Sequence, residues 1–208
     1  MKNYKGYIIA FEGIDGSGKT TIATNTKKRI EKHGFQVAIF KEPTNETDAG
    51  KKIRASYNTE RPSFEIELQW FIEDRTWDVK NRILPALAQN QVVFMDRYYY
   101  STACYQGVRN NNNWKAILDL NRKKFPEPDL TIIFDINPDI ALKRILSVRN
   151  KINSFEVLQN LINVRNLFLE IYNKDKIGNF VLVDGSKSIR SITTFVTKLI
   201  LNLLNRNP

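Results

Sequence analysis

The sequence predicts a three-layer α/β fold, in which helices cover both faces of a five-stranded parallel sheet. Two observations support this prediction: five short apolar runs recur along the 208 residues, and stretches with helical periodicity separate them. Strands joined by helical crossovers are buried on both faces, which is why they are continuously apolar. The length suits one domain, and no linker or internal repeat divides residues 1–208.

Each predicted strand is an apolar run with recognisable boundaries. The first ends before Glu12, and Asp96-Arg97 closes the third. The fourth opens after Pro126 and Pro128, which cannot donate hydrogen bonds to a sheet. The predicted strands are residues 7–11, 35–40, 92–95, 130–136 and 180–183.

The stretches between these runs have the periodicity of helices. Gly34 follows the first of them as a C-terminal cap. Pro62 is expected in the first turn of a long helix, and Pro85 is expected to kink that helix. The predicted helices are residues 18–33, 49–57, 64–88, 102–107, 114–124, 139–148, 155–173 and 189–204.

The composition limits the class of protein. The net charge is +10, which fits either binding of polyanions or a coding bias towards Lys, Asn and Ile. The basic residues are scattered along the chain, which argues against nucleic-acid binding. The single cysteine, Cys104, excludes a disulfide framework. No segment approaches the ~20 apolar residues of a membrane helix, so a cytoplasmic protein without membrane contact is expected.

A phosphate-binding loop follows the first strand. The segment FEGIDGSGKTT at residues 11–21 contains the full pattern G-x-x-x-x-G-K-[ST], between a predicted strand and a predicted helix. Backbone N–H groups and the helix N-terminus would bind the phosphates of ATP, Lys19 would reach the β- and γ-phosphates, and the Thr20 hydroxyl would bind Mg²⁺. The predicted ATP site comprises Gly13, Ile14, Asp15, Gly16, Ser17, Gly18, Lys19, Thr20 and Thr21.

The end of the third strand offers a second set of charged groups. Asp96 stands where a carboxylate can hold Mg²⁺ together with Thr20. Arg97 beside it has the guanidinium fork that grips a phosphate through two hydrogen bonds. No Asn-Lys-x-Asp tetrapeptide of the kind that reads guanine follows a late strand, which argues against a GTPase.

Several motifs together resemble those of thymidylate kinases. They are the phosphate-binding loop, Lys41-Glu42-Pro43-Thr44, the block DRYYYSTACYQG at 96–107 and PDLTIIFDI at 128–136. The match runs from about residue 8 to residue 188. It implies a P-loop kinase fold and an enzyme that uses ATP and Mg²⁺ to phosphorylate dTMP to dTDP in dTTP biosynthesis. It also implies a homodimer.

The resemblance implies roles for residues that would bind dTMP. Asp15 would bind the 3′-hydroxyl, Phe71 would stack on thymine, and Arg75 would donate to O4. Phe71 and Arg75 are four residues apart, so they share one helix face. Arg54 and Arg97 would grip the phosphate. The complete substrate set is Asp15, Glu42 and Arg54 along the monophosphate and loop wall, Phe71, Arg75, Arg97, Thr102 and Gln106 near the base edge, and Tyr105 against C2′.

The resemblance also implies a lid at about residues 143–154, with Arg144 near the adenine of ATP. Some thymidylate kinases carry a catalytic arginine at the position of Gly16, so the lid must supply it here, and Arg149 is the candidate. The predicted catalytic residues are Lys19, Arg97 and Arg149. The chain departs from the family at Asn153-Ser154, where Asp-Arg is common, and at Thr44 in the loop after the second strand.

Three alternatives remain open from the sequence. The acceptor could be dUMP or another nucleoside monophosphate, because one methyl group gives only about 1–3 kcal/mol of discrimination. The chain could phosphorylate a deoxynucleoside. It could also be a nucleotide-binding module without turnover.

Overall fold

The five apolar runs pair into one parallel sheet of order β2-β3-β1-β4-β5. The computed structural model describes residues 5–149 and 151–205. The predicted fold class is therefore confirmed. The strands are β1 Tyr7–Glu12, β2 Val37–Lys41, β3 Val92–Asp96, β4 Leu130–Asp135 and β5 Phe180–Asp184.

The helices follow the predicted order with shifted ends. They are α1 Lys19–Glu31, α2 Asp48–Ser56, α3 Phe64–Asp78, α4 Leu84–Ala88, α5 Tyr99–Arg109, α6 Trp114–Arg122, α7 Pro138–Val148, α8 Leu158–Lys174 and α9 Ile189–Leu204. Of the predicted domain 1–208 and lid 143–154, residues 1–4, 150 and 206–208 lie outside the described residues.

Alternate side chains of the strands pack into two separate hydrophobic cores, one on each face of the sheet. Ile8 and Ala10 of β1 pack into one core, and Ile9 and Phe11 pack into the other. Helices α1 and α9 cover the second core, whereas α5, α6 and α8 contribute to the first. This two-sided burial explains why the strands are apolar at every position.

The predicted single helix over 64–88 is wrong in detail, because a π-helical turn, Val79–Ile83, separates α3 from α4. Pro85, the second residue of α4, lacks the N–H that a regular helix needs, so the backbone widens before it. Pro62 does not occupy the first helical turn either. Ser63 caps α3, and its Oγ accepts the N–H of Ile66 at 3.4 Å.

The helix predicted at 155–173 begins only at Leu158. A turn precedes it, in which the Glu156 N–H donates to the carbonyl oxygen of Asn153 at 3.0 Å. The Asn153 side chain also accepts the N–H of Phe155 at 2.9 Å. Asparagine stabilises such turns by bonding its own backbone neighbours, which delays the helix.

Within residues 5–149 and 151–205, no helix has the length and apolar character that crossing a bilayer requires.

Candidate active site

Three glycines in the loop between β1 and α1 have a positive φ, and two of them also lack space for a side chain. Gly13 and Gly16 have φ angles of +136° and +76°. A Cβ atom on Gly13 would lie 2.6 Å from the carbonyl oxygen of Phe134, and one on Gly16 would lie 2.4 Å from that of Ala141. The loop is therefore pressed between β4 and α7, and it presents the N-terminus of α1, where phosphates bind.

The Lys19 side chain curls back over this loop. Its Nζ donates to the carbonyl oxygen of Ile14 at 2.7 Å and to Ser17 Oγ at 3.3 Å. Burial and the nearby Arg97 lower the pKa of Lys19 to about 7, against the opposing effect of Asp15. A bound triphosphate would favour the charged amine again.

A hydroxyl and a carboxylate meet beside the loop. Thr20 Oγ1 donates to Asp96 Oδ2 at 2.6 Å, and Lys41 Nζ lies 3.4 Å from the same oxygen. Mg²⁺ prefers oxygen ligands and takes several of them from phosphates and water. Thr20 and Asp96 therefore fit Mg²⁺ that is bound together with a nucleotide.

The turn after β3 is held by a buried carboxylate. Arg97 has a φ of +72°, which is costly for any residue other than glycine. Glu12 accepts the N–H of Tyr98 at 2.9 Å and both the N–H and the hydroxyl of Ser101, at 3.2 and 2.5 Å. Burial raises the pKa of Glu12, although these donors favour its charged form. The sequence predicts no role for Glu12, whose only signal is a carboxylate that ends an apolar strand.

The strained turn aims the Arg97 side chain at the phosphate loop. Its guanidinium donates to the carbonyl oxygen of Gly13 at 3.1 Å and to Asp15 Oδ1 at 2.7 Å. The hydroxyl of Tyr105 donates to Asp15 Oδ2 at 2.8 Å. Burial acts to raise the pKa of Asp15, but Arg97 and Lys19 outweigh it and lower that pKa to about 2.

A cleft, which we call the aromatic pocket, opens on one side of Asp15 and Arg97. Its lining includes every predicted substrate residue except Arg54 and Gln106. The lining residues are Asp15, Glu42, Pro43, Tyr57, Phe71, Arg75, Arg97, Tyr98, Ser101, Thr102, Tyr105, Asn153 and Phe155.

Arg54 and Gln106 are engaged elsewhere. The Arg54 guanidinium donates to the carbonyl oxygens of Pro43 and Thr44, so it braces the loop after β2. Gln106 is buried, and its Nε2 donates to Glu67 Oε2 at 2.7 Å. In this structure both side chains support the walls of the aromatic pocket without lining it.

Arg75 lies at the base of the aromatic pocket and is almost completely buried. Its guanidinium pairs with Glu42, which comes from the end of β2, and also donates to Thr102 Oγ1 at 2.9 Å. Burial raises the pKa of Glu42, and Arg75 opposes that rise. Glu42 therefore lines the aromatic pocket through its contact with Arg75, and its predicted place along the monophosphate stays a prediction.

A wider cleft, which we call the loop pocket, lies on the other side of Asp15 and Arg97 and contains the rest of the phosphate loop from Gly16 to Thr21. Gly13 and Ile14 do not line it. Arg144 lines it and donates to the carbonyl oxygen of Gly185 at 3.0 Å. The two pockets share Asp15 and Arg97, so ligands in both would meet there.

The segment after α7 contacts both pockets. Arg149 lines the loop pocket and pairs with the buried carboxylate of Glu156. Asn153 and Phe155 line the aromatic pocket, where the Phe155 ring packs edge-on against Tyr57 with centroids 4.9 Å apart. No pattern in the sequence indicates Tyr57 or Phe155 as site residues, because nearly a hundred residues separate these two rings.

Comparisons with known proteins place these motifs in context. The family model described as Thymidylate kinase matches residues 11–196. A probable thymidylate kinase of Archaeoglobus fulgidus is 43% identical over 95% of this chain and 96% of its own length. A thymidylate kinase of Leptospira interrogans is 37% identical over 92% of both chains. A probable thymidylate kinase of Methanosarcina barkeri is 36% identical over 98% of this chain and its own full length.

Proposed function

The chain belongs to the thymidylate kinase family, and from this premise we propose how its two pockets divide the work of a kinase. It is a dTMP kinase, which transfers a phosphoryl group from ATP to dTMP and yields dTDP. The observation that carries the division of work is the meeting of the two pockets at Asp15 and Arg97. Donor and acceptor phosphates bound on either side would face each other at this point.

ATP occupies the loop pocket in this proposal. The N-terminus of α1 and Lys19 bind its phosphates, and Arg144 borders its base. Thr20 and Asp96 hold Mg²⁺, which neutralises charge on the phosphates. Lys19 is buried against two loop oxygens and can exchange these contacts for phosphate oxygens.

The monophosphate substrate occupies the aromatic pocket. Arg97 grips its phosphate, Asp15 accepts a hydrogen bond from the 3′-hydroxyl, and Tyr105 limits the space at C2′. The base lies against Phe71, which is 9% exposed and lines the pocket. Stacking of a base on an aromatic ring contributes about 1–3 kcal/mol.

Arg75, Thr102 and Glu42 provide the polar end of the base site. Arg75 donates to O4 of thymine, and Thr102 supports both Arg75 and the base edge. Their contacts support an indirect role for Glu42, which holds Arg75. Arg54 braces the loop after β2, and binding of the phosphate would require its side chain to turn towards the ligand.

Arg149 delivers positive charge to the transferring phosphoryl group. It lines the loop pocket, and its side chain is half exposed, so it is free to turn from Glu156 towards the phosphates. Phosphoryl transfer depends mainly on positioning and on neutralisation of charge. Family membership also supports a homodimer in the cytoplasm, and sedimentation of the purified chain would test the dimer.

A panel of acceptors tests the proposal. Purified chain is incubated with ATP, Mg²⁺ and one of dTMP, dUMP, dCMP or thymidine, and ADP formation is followed. We expect the highest kcat/KM with dTMP, because Arg97 binds a phosphate that thymidine lacks. Faster turnover of thymidine, or none with any acceptor, would overturn it.

Variants of α1 provide the control. Lys19→Met should abolish transfer, because the phosphates lose their cation. Lys28→Met, an exposed change on the same helix, should leave transfer intact.

A further inference from the structure

The guanidinium of Arg75 is nearly saturated by protein acceptors. Nε and Nη2 both donate to Glu42 Oε2, at 2.8 and 2.5 Å, and Nη2 also donates to Thr102 Oγ1 at 2.9 Å. Nη1 donates to Asn121 Oδ1 at 2.6 Å. A guanidinium has five N–H groups. One N–H of Nη1 therefore has no acceptor among the described residues, and because Arg75 lines the aromatic pocket, this N–H is available to a ligand there.

The pairing with Glu42 does not by itself fix the orientation of this guanidinium. Both bonds to Glu42 end on the same oxygen, and Glu42 Oε1 is buried without a hydrogen-bond partner among the described residues. Two parallel hydrogen bonds to two carboxylate oxygens would fix the plane of the guanidinium. Two bonds to one shared oxygen allow the guanidinium to rotate about that oxygen. The orientation must come from the other two partners, Thr102 and Asn121.

Asn121 is suited to prevent this rotation of the Arg75 guanidinium. It is completely buried on α6 and does not line the aromatic pocket. Its Nδ2 donates to the carbonyl oxygen of Ile117 at 2.7 Å, one turn earlier in the helix. This bond commits the amide nitrogen, so Oδ1 must face Arg75. The reversed amide would place two donors against each other.

We propose that Asn121 is a positioning residue for pyrimidine recognition, which acts by fixing the free N–H of Arg75 Nη1 in the aromatic pocket. This inference rests on the proposed binding of dTMP. A donor fixed at this point favours a base with a carbonyl oxygen at C4, as in thymine. Cytosine has an amino group there, and two donors would oppose each other.

Without an acceptor at residue 121, Arg75 can turn until Glu42 binds it through both oxygens. That arrangement satisfies Glu42 Oε1 and moves Nη1 away from the base. The enzyme would then lose much of its preference for thymine over cytosine. Phosphate binding by Arg97 would be unaffected, because Asn121 has no contact with it.

The test compares kcat/KM for dTMP and for dCMP in three proteins. In Asn121→Leu, which keeps the branched shape but is larger and has no acceptor, the dTMP-to-dCMP ratio should fall at least about tenfold, mainly through a higher KM for dTMP. In Asn121→Asp, which keeps an acceptor oxygen, the ratio should stay within about threefold of wild type. Asn121→Ala gives the same comparison as Asn121→Leu if the leucine variant does not fold.

A structural effect alone is recognised by a matched control. Thr197 on α9 is buried and bonds the carbonyl oxygen of Thr193 one turn earlier, much as Asn121 bonds Ile117. Thr197→Val should lower the melting temperature without changing the ratio. An unchanged ratio in Asn121→Leu, or an equal loss in Asn121→Asp, overturns the inference while dTMP kinase activity stands. A wild-type chain without activity on dTMP overturns the proposed function and the inference with it.

Discussion

Arg97 shows how a single residue can connect two binding sites. Its backbone is in the left-handed region, at a cost of about 1–2 kcal/mol. Glu12 offsets this cost by bonding the backbone of the next residue and of Ser101. The strained turn aims the guanidinium at Asp15, at the boundary between the aromatic pocket and the loop pocket. Strain at this residue therefore accompanies a position that lines both pockets.

Arg149 provides a prediction about catalysis. Arg149→Ala should lower kcat by about a thousandfold or more, because charge at the transferring phosphoryl group would no longer be neutralised. The KM for dTMP should change little, since Arg149 does not line the aromatic pocket. Steady-state kinetics measure both values. Lys143→Ala, an exposed change on α7, is the control, and turnover of Arg149→Ala equal to that of this control would remove Arg149 from the mechanism.

Lys19 provides a prediction about pH. Its pKa is lowered to about 7, mainly by burial, so the amine is largely neutral at pH 8 in the free protein. Bound phosphates favour the charged form, so ATP binding at pH 8 should take up close to one proton. Titration calorimetry in two buffers with different ionisation enthalpies measures this uptake.

Two variants test whether Lys19 is the group that takes up this proton. Lys19→Arg should bind ATP without uptake, because arginine is already charged, and Lys28→Met should behave as wild type. A binding heat in the wild-type protein that is independent of the buffer would contradict the lowered pKa.

At the scale of elements, the contact between the phosphate loop and α7 determines where a catalytic arginine can lie. The backbone of Ala141 approaches Gly16 so closely that a Cβ atom there would be 2.4 Å from its carbonyl oxygen. An arginine at position 16, as some members of the family have, cannot fit unless α7 moves. The close packing of α7 is consistent with an arginine that comes from the segment after this helix.

This contact predicts different costs for two alanine substitutions. Gly34 also has a positive φ, but a Cβ atom on Gly34 would have no other atom within 4 Å. Gly34→Ala should therefore lower the free energy of unfolding by about 1–2 kcal/mol, the cost of the backbone alone. Gly16→Ala should lose a further ~1–3 kcal/mol through the collision with Ala141. Urea denaturation measures both, and equal losses would contradict the close contact.

A double variant extends the same argument to function. Gly16→Arg should not restore turnover to Arg149→Ala, because the collision displaces either the loop or α7. Recovered activity would show that α7 can move away from position 16 at little energetic cost, which would contradict this argument.

At the scale of the whole molecule, the carboxyl edge of the sheet collects the functional groups. Gly13 follows β1, Glu42 follows β2, Arg97 follows β3 and Gly185 follows β5. Parallel strands end at the same edge, so residues far apart in sequence meet there. The two pockets therefore belong to the same sheet edge.

Because both pockets lie at one edge of the sheet, we expect a ligand in either pocket to stabilise the whole domain against unfolding. At a hundred times its Kd, dTMP should raise the free energy of unfolding by about 2.7 kcal/mol, and a non-hydrolysable ATP analogue should do the same. For a chain of this size each should raise Tm by about 5–10 °C. Calorimetry should show one transition that shifts as a whole, because both pockets share residues. Two transitions, of which only one responds to dTMP, would contradict this prediction.

The sequence by itself determined the features that depend on neighbouring residues. Apolar runs gave the five strands, because a strand buried on both faces must be apolar throughout. The spacing of Gly13, Gly18, Lys19 and Thr20 gave the phosphate loop, since one turn between a strand and a helix forms it. The helix ends were predicted less accurately. They depend on local competition for backbone hydrogen bonds, as at the Ser63 cap and the wide turn before Pro85.

The tertiary structure decided the features that depend on packing between distant segments. It placed Glu42, Thr102 and Asn121 around Arg75, turned Arg54 to the loop backbone, and brought Phe155 against Tyr57. No spacing along the chain encodes such meetings, because they arise where helices on one face of the sheet pack together. Burial then leaves each polar group only the partners within reach, and these partners decide which side chain contacts a ligand and which one holds it in place.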